Sequence, residues 1–452
     1  MSDTVFPIQS ARQASWHGEY RSSQLTSDNM SPAPKYKVVA AGMIGNVLEW
    51  YDFAIYGYFA TAIGRQFFPH QDPLAQIVAA FGVFAVGYLM RPVGGALVGH
   101  IGDRFGRRAA LTFSVAAMAI PTFLIGLLPG YATIGLAAPI ALTLLRMVQG
   151  LSVGGEYTSS AVFLIEHAPE GRRGLFGALA CAGATGGILL GSAVGAAFAA
   201  VLPVEVLDAW GWRIPFLLGL VVGIVGYFLR RHVQEGAPAE RPARAPIVET
   251  MHDHWRVVLA VAGLSVFFAT SFYVTFVYLV TWMQTADGIA PARALEINSF
   301  SMAAVLLITI ASGWLSDRVG RKPLMLLSTM LWLSTAVPLL WMMHHPNAEL
   351  AQWGQLGLAL IVGLFAGALP AAIVEIAPPR VRCTTVALGY NISLGVIGGL
   401  SPLGAAWLVE RTGDQLAPAF LIMATAVVSL VFILRLPETH RASFAGATAI
   451  AH

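Results

Sequence analysis

The hydrophobic positions along this chain come in long runs rather than in alternation. Twelve apolar runs, separated by polar or Pro/Gly breaks, fall near residues 37–63, 74–99, 109–128, 134–165, 175–203, 212–230, 255–283, 294–316, 324–344, 352–376, 384–410 and 416–436. A hydrocarbon core about 30 Å thick needs roughly 20 such residues in a helix. Runs of this length without period-two alternation exclude barrel strands. The pattern predicts an all-α integral membrane protein with twelve transmembrane helices. Residues 1–36, rich in Ser, Gln and Asp, hold no apolar signal-peptide core and are expected to form a disordered cytoplasmic tail. Residues 437–452 are expected to form a second, short tail.

Composition strengthens this picture. Of 452 residues, 56% are hydrophobic and only 11% charged, against roughly 25% charged in soluble domains. An ordinary soluble enzyme, a nucleic-acid binder and a disordered scaffold are excluded. Charge distribution then sets orientation. Of the 27 Lys and Arg, Arg91 and Arg146 lie inside runs, and Arg65, Arg213, Arg293 and Arg411 fall on one side. All the others lie on the side that holds both termini, which is therefore cytoplasmic. Residues 231–254, with Pro238, Pro242, Pro246 and mixed charge, read as a solvated linker between six-helix halves 37–230 and 255–436.

The two halves echo each other. Gly99, Asp103, Arg104, Gly106, Arg107 and Arg108 between spans 2 and 3 match Gly313, Asp317, Arg318, Gly320, Arg321 and Lys322 between spans 8 and 9. Glu166 before Arg172 and Arg173 matches Glu375 before Arg380 and Arg382. Repeated halves around a midplane site are an architecture of secondary transporters.

These loops resemble the signature G-x-x-x-D-R-x-G-R-[RK] of the major facilitator superfamily, and with twelve spans the resemblance covers nearly the whole chain. Gly45 to Phe53, Leu89-Met90-Arg91-Pro92, Arg146 to Tyr157 and Trp210 to Phe216 resemble its metabolite–proton symporter branch, which includes citrate, 2-oxoglutarate and proline/glycine betaine carriers. The resemblance implies a gating role for Asp103, Arg107, Arg108 and Glu166, and for Asp317, Arg321 and Glu375: an ion network that holds the cytoplasmic side closed. The plainer account is that these charges only fix topology.

Ionisable groups at membrane depth are costly and mark functional sites. Glu49 and Asp52 lie roughly 18 and 22 Å beyond Lys37 at about 1.5 Å per residue. Asn46, Glu49, Asp52 and Tyr56 fall on one stripe of span 1. Arg146, Gln149, Gly150 and Tyr157 share a face of span 4, with Arg146 near the midplane. Asp52 and Arg146 are expected to meet as a proton-coupling pair: protonation of Asp52 releases Arg146 to a substrate anion. Sugar–proton relatives in the superfamily use an Asp/Arg pair on these two spans. Glu49 and Glu156 are the other candidate proton carriers. Arg91 either snorkels to the headgroups or lines the inner vestibule. Tyr273 and Tyr278 in span 7 and Asn391 in span 11 either line the cavity or pack. The four-residue glycine steps of span 5 point to close helix packing.

No phosphate loop is present, so the proton gradient is the expected energy source and no cofactor is expected. His252 with His254, and His344 with His345, lack a third ligand of suitable spacing, so no metal is expected. The expected partners are a small-molecule substrate, protons and the lipid bilayer of a bacterial inner membrane, with no nucleic acid and a monomer as the working unit. A midplane arginine suits bidentate carboxylate recognition, which favours a citrate- or dicarboxylate-type acid. Proline or glycine betaine, whose amine would sit in an aromatic cage, is the alternative, and efflux of drugs or metabolites a third. The short C-terminal tail speaks against the osmosensing branch, which often carries a long coiled coil.

Overall fold

The structure is a computed structural model that describes residues 35–69, 72–95, 97, 101, 107–152, 156–230, 246–345 and 347–441. Contacts divide the chain into Met1–Ala41 and Gly42–His452; of the first, residues 35–41 are helical. Among the described residues, each of the twelve apolar runs forms a helix. We number them α1 (Lys35–Tyr58), α2 (Pro73–Gly95), α3 (Arg107–Leu127), α4 (Ala137–Glu166), α5 (Arg173–Val201), α6 (Arg213–Arg230), α7 (Trp255–Thr285), α8 (Pro291–Val319), α9 (Arg321–Met343), α10 (Ala348–Glu375), α11 (Pro379–Thr412) and α12 (Ala417–Arg435). Among the described residues nine helices are long and apolar enough to cross a membrane, and a bent pair that includes α6 makes ten. The remaining two runs form α1, of 24 residues, and α3, of 21.

Small residues set how closely the helices approach. Gly187 and Gly191 of α5 lie against Val47, Trp50, Tyr51 and Ala54 of α1, where a Cβ would collide or crowd. The glycine steps of span 5 are thus packing contacts. In α11, Pro402 cannot donate to the carbonyl four residues back, that of Gly398. The Ser401 hydroxyl donates to that carbonyl at 2.6 Å instead, and the turn just before it, Ile392–Gly398, is a π-helix. α7 carries a second π turn, Val274–Tyr278. Both widened turns lie in the half that faces α1 and α2.

The halves are joined near both membrane faces. Toward the outside, Asn298 donates to Ser192 Oγ at 3.0 Å and Gln355 donates to Asn298 Oδ1 at 2.9 Å, linking α5, α8 and α10. Toward the cytoplasm, α5 meets α8 where the backbone N–H groups of Gly174 and Leu175 donate to the Asp317 carboxylate at 2.7 and 2.9 Å.

Two stretches differ from the sequence expectation. Within the expected linker 231–254, Pro246–Asp253 forms a helix that buries Thr250. Proline at its first position suits a helix start, because the missing N–H has no partner to lose there. Within the expected tail 437–452, Glu438 and Thr439 are held rather than free. Glu438 accepts the backbone N–H groups of Arg321 and Lys322 at 2.9 and 3.0 Å, and the Thr439 hydroxyl donates to Glu375. A carboxylate at the start of α9 satisfies donors that a helix N-terminus leaves without partners. Burial alone would raise the Glu438 pKa, but these backbone donors and His440 outweigh it and hold the group below its usual range. The expected N-terminal tail lies outside the described residues up to residue 34.

Candidate functional site

The polar stripe of α1 faces inward, as its spacing requires. Asn46, Glu49 and Asp52 are all buried in a helix whose neighbours are mostly apolar. Asn46 donates to the Ala180 carbonyl of α5 at 3.3 Å, so its amide nitrogen serves helix contact. The Tyr56 hydroxyl donates to the Ala80 carbonyl at 3.1 Å, which turns its ring rather than its hydroxyl toward the site.

Arg146 is fully buried. α4 reaches α2 closely because Gly87 and Gly150 have no side chains at the crossing. The guanidinium sits against three rings, with its Cζ 4.4 Å from the centre of Tyr56, 4.7 Å from Phe53 and 5.4 Å from Phe84. Nη1 donates to Gln149 Oε1 at 2.8 Å. Among the described residues, Nε and Nη2 have no hydrogen-bond partner. These two N–H groups point along the same edge of the guanidinium, and together they form the fork that grips a carboxylate side-on. A Cβ at Gly87 would lie 3.5 Å from Nε and 3.6 Å from Nη2, so the glycine keeps that edge clear.

Asp52 lies in the same cluster, yet it does not pair with Arg146. Among the described residues no ion pair joins them, and the guanidinium acts on the carboxyl through charge alone. This corrects the direct pair expected from helix geometry. Between the two groups stand Gln149 and Thr122: Gln149 Nε2 donates to Thr122 Oγ1 at 2.6 Å, and Thr122 lies beside the Asp52 carboxyl. Room for this arrangement comes from Gly219 of α6. A Cβ there would sit 2.5 Å from Thr122 Cγ2 and 3.2 Å from Asp52 Oδ1.

A second arginine, Arg91, is buried 5.6 Å from the Trp50 ring centre and 5.5 Å from that of Tyr88. It lies inside the protein and also close to Gly395 of α11, which decides against snorkelling. Aromatic rings connect the two arginines. Tyr88 lies 4.7 Å from Phe53, 4.8 Å from Phe84 and 5.2 Å from Tyr273, and Trp50 is stacked 6.4 Å from Tyr273. Tyr157 stacks on Tyr390 at 5.0 Å, closing the cluster between the halves. Tyr278 packs 6.0 Å from Phe81, and Asn391 is buried next to Tyr390 at the start of the π turn of α11. Glu156 is helical, but its side chain lies outside the described residues, as do Asp103 and the side chains of Arg107 and Arg108.

The second-half loop residues come together. Arg321 donates to Asp317 at 2.9 Å and to both carboxylate oxygens of Glu375, at 3.1 and 3.3 Å. Arg173, from the first half, reaches Glu375 at 3.3 Å. Glu166 pairs with Arg382 of the second half at 2.8 Å. Ion pairs on the cytoplasmic side therefore run across the two halves. The sequence reading missed Thr122, Gly219 and the rings of Phe53, Phe84 and Tyr88. Only the rings had a signal, since Phe81, Phe84 and Tyr88 share one face of α2 at i, i+3, i+7.

Residues 38–237 match the family described as sugar (and other) transporter, and residues 294–450 match the Major Facilitator Superfamily. A proline/betaine transporter of Salmonella typhimurium is 35% identical over 428 residues, covering 91% of this chain and 85% of that protein. A glycine betaine/proline/ectoine/pipecolic acid transporter of Dickeya dadantii is 35% identical over the same length and shares. Among solved structures, the xylose transporter XylE from E. coli in a partially occluded, inward-open conformation superposes with a TM-score of 0.70 at 18% identity. It covers 90% of this chain and 99% of that one.

Proposed function

Because the chain belongs to the major facilitator superfamily of membrane transporters, we propose that it is a proton-coupled symporter of small zwitterions of the proline and glycine betaine kind. The observation that carries this reading is the open Nε–Nη2 edge of Arg146 at one end of a continuous set of aromatic rings. A carboxylate takes the fork in two parallel charge-assisted hydrogen bonds. A secondary or quaternary ammonium a few ångströms away lies against the faces of Phe84, Tyr88 and Tyr273, where ring quadrupoles attract a cation.

Charge balance favours this substrate over the citrate or dicarboxylate that Arg146 alone suggested. Among the described residues, the buried charged groups of the site are two arginines, Arg91 and Arg146, and two acids, Glu49 and Asp52. A net-neutral solute adds no charge to that set, whereas a polyanion adds several where desolvation is expensive. The names of the relatives at 35% identity support the same class.

In this reading a proton on Asp52 frees Arg146 for the substrate carboxylate, and loss of the proton returns Arg146 to its own polar partners. Inward opening requires the cytoplasmic contacts to part: Glu166–Arg382, Arg173–Glu375, and the Asp317 carboxylate from the N–H groups of Gly174 and Leu175. Such a network can bias two states that differ by a few kcal/mol. Counterflow tests the substrate class without any gradient. Proteoliposomes loaded with unlabelled glycine betaine are expected to exchange radiolabelled glycine betaine, with inhibition by proline and none by citrate or succinate. Inhibition by citrate but not by proline would reverse the assignment.

A further inference from the structure

Thr122 occupies the gap between Asp52 and Arg146, within hydrogen-bond reach of the Asp52 carboxyl, and chemistry fixes the direction of the hydrogen bond it receives from Gln149. A guanidinium can only donate, so Gln149 must turn its amide oxygen to Arg146 Nη1 (2.8 Å). The amide nitrogen is thereby turned to Thr122 Oγ1 (2.6 Å), and the hydroxyl must accept there. The one proton of that hydroxyl goes to the Met118 carbonyl at 2.8 Å. A single lone pair remains on Oγ1, beside the Asp52 carboxyl, whose Oδ1 has no partner among the described residues. An oxygen in this state can accept a bond from a protonated carboxyl. It can give one to a carboxylate only by releasing Met118.

We infer that Thr122 is the positioning residue of proton coupling: its hydroxyl hydrogen lies on the Met118 carbonyl while Asp52 is protonated and swings to the carboxylate once Asp52 is ionised. No proton leaves Thr122; the transported proton goes on and off Asp52 alone. The Gln149 bond survives the swing, because the hydroxyl exchanges one lone-pair direction for another. A hydroxyl that donates to an anion is a better acceptor, through the mutual polarisation of linked hydrogen bonds. Ionised Asp52 therefore tightens Gln149 on Thr122 and, through the polarised amide, tightens Arg146 on Gln149. Protonated Asp52 relaxes both and leaves the guanidinium to the substrate. Among the described residues, the other titratable groups near Asp52 are Arg146 on α4 and, on α1 itself, Glu49 one turn away and Tyr51, whose hydroxyl is committed to the Pro215 carbonyl at 3.0 Å. From α3 and α6 the groups facing Asp52 are Thr122 and Gly219, which do not titrate.

This inference rests on Asp52 as the proton carrier, and its test needs no substrate. The full-length protein in lipid nanodiscs is titrated while infrared spectroscopy follows the C=O stretch of protonated carboxyls. Asp52→Asn identifies the Asp52 band by its loss. Thr122→Val, close to Thr in shape but without the hydroxyl, is expected to move the midpoint of that band by at least about one pH unit, a tenfold change in proton binding. Thr122→Ser, which keeps the hydroxyl, is expected to restore the wild-type midpoint. An unmoved midpoint in Thr122→Val overturns the inference, as does an equal displacement in Thr122→Ser, which would assign the effect to packing. A titrating band that survives in Asp52→Asn overturns the proton-carrier reading itself, so the two failures are distinct.

Discussion

Replacing Arg146 by Lys separates the charge of the site from its shape. The ammonium keeps the positive charge at the buried end of the aromatic cluster, so the Coulomb attraction for a carboxylate persists. What is lost is the fork. In the native site Nη1 is engaged by Gln149 while Nε and Nη2 are both available along one edge; a lysine has one nitrogen to serve Gln149 and the substrate together. One charge-assisted hydrogen bond to the carboxylate disappears, worth about 1.5–3 kcal/mol. That corresponds to roughly 10- to 150-fold weaker binding. The assay is equilibrium binding of radiolabelled glycine betaine to detergent-purified protein, with monodispersity checked by gel filtration. Binding within threefold of wild type would refute the fork as the carboxylate site. Complete loss of a folded protein would instead trace to the Gln149 bond, and Arg146→Gln distinguishes the two by removing charge and fork together.

Three further outcomes follow from the same geometry. Asp52→Asn mimics the protonated carboxyl and is expected to retain glycine betaine counterflow while losing accumulation driven by a pH gradient, both read in one proteoliposome preparation. Tyr88→Leu keeps apolar volume but removes the ring that touches Phe53, Phe84 and Tyr273. Glycine betaine should then bind about 2- to 30-fold more weakly, from a cation–π contribution of about 0.5–2 kcal/mol, and an unchanged affinity would remove the ammonium from this ring. For Glu438, whose pKa is held below its ordinary value of 4.5, the stabilisation is complete above that value and is lost as pH falls through the lowered native one. Glu438→Gln should accordingly lower the unfolding temperature in detergent at pH 7, with the gap to wild type closing as the pH drops below about 4.5; a gap independent of pH would contradict the cap.

Much of the fold is legible in the sequence because it depends on local pattern. Run length places twelve helices, the inward stripe of Asn46, Glu49 and Asp52 follows from a hundred-degree step, and the internal repeat brings Asp317, Arg321 and Glu375 together. The gap between Asp52 and Arg146 depends instead on how closely helices approach. Gly87 with Gly150 sets one crossing and Gly219 another, and no single-chain pattern reports which glycines face each other. Thr122 carries no sequence signal beyond following Pro121 in a helix. The aromatic cluster draws rings from α1, α2, α4, α7 and α11, so in sequence it reads only as scattered Phe, Tyr and Trp. That is why one midplane arginine pointed to an organic acid, and the balanced charges and gathered rings point to a zwitterion. Glu438 and Thr439 follow the last apolar run and read as tail, yet they satisfy the first N–H groups of α9 and the Glu375 carboxylate.

Accumulation driven by a pH gradient tests the central claim most directly. Purified protein in proteoliposomes, acidic outside, is given radiolabelled glycine betaine, proline or citrate in parallel. Uphill accumulation of glycine betaine and proline, abolished by a protonophore and accompanied by alkalinisation outside, is the predicted result. Accumulation of citrate with none of either zwitterion, or betaine uptake indifferent to the protonophore, would contradict it.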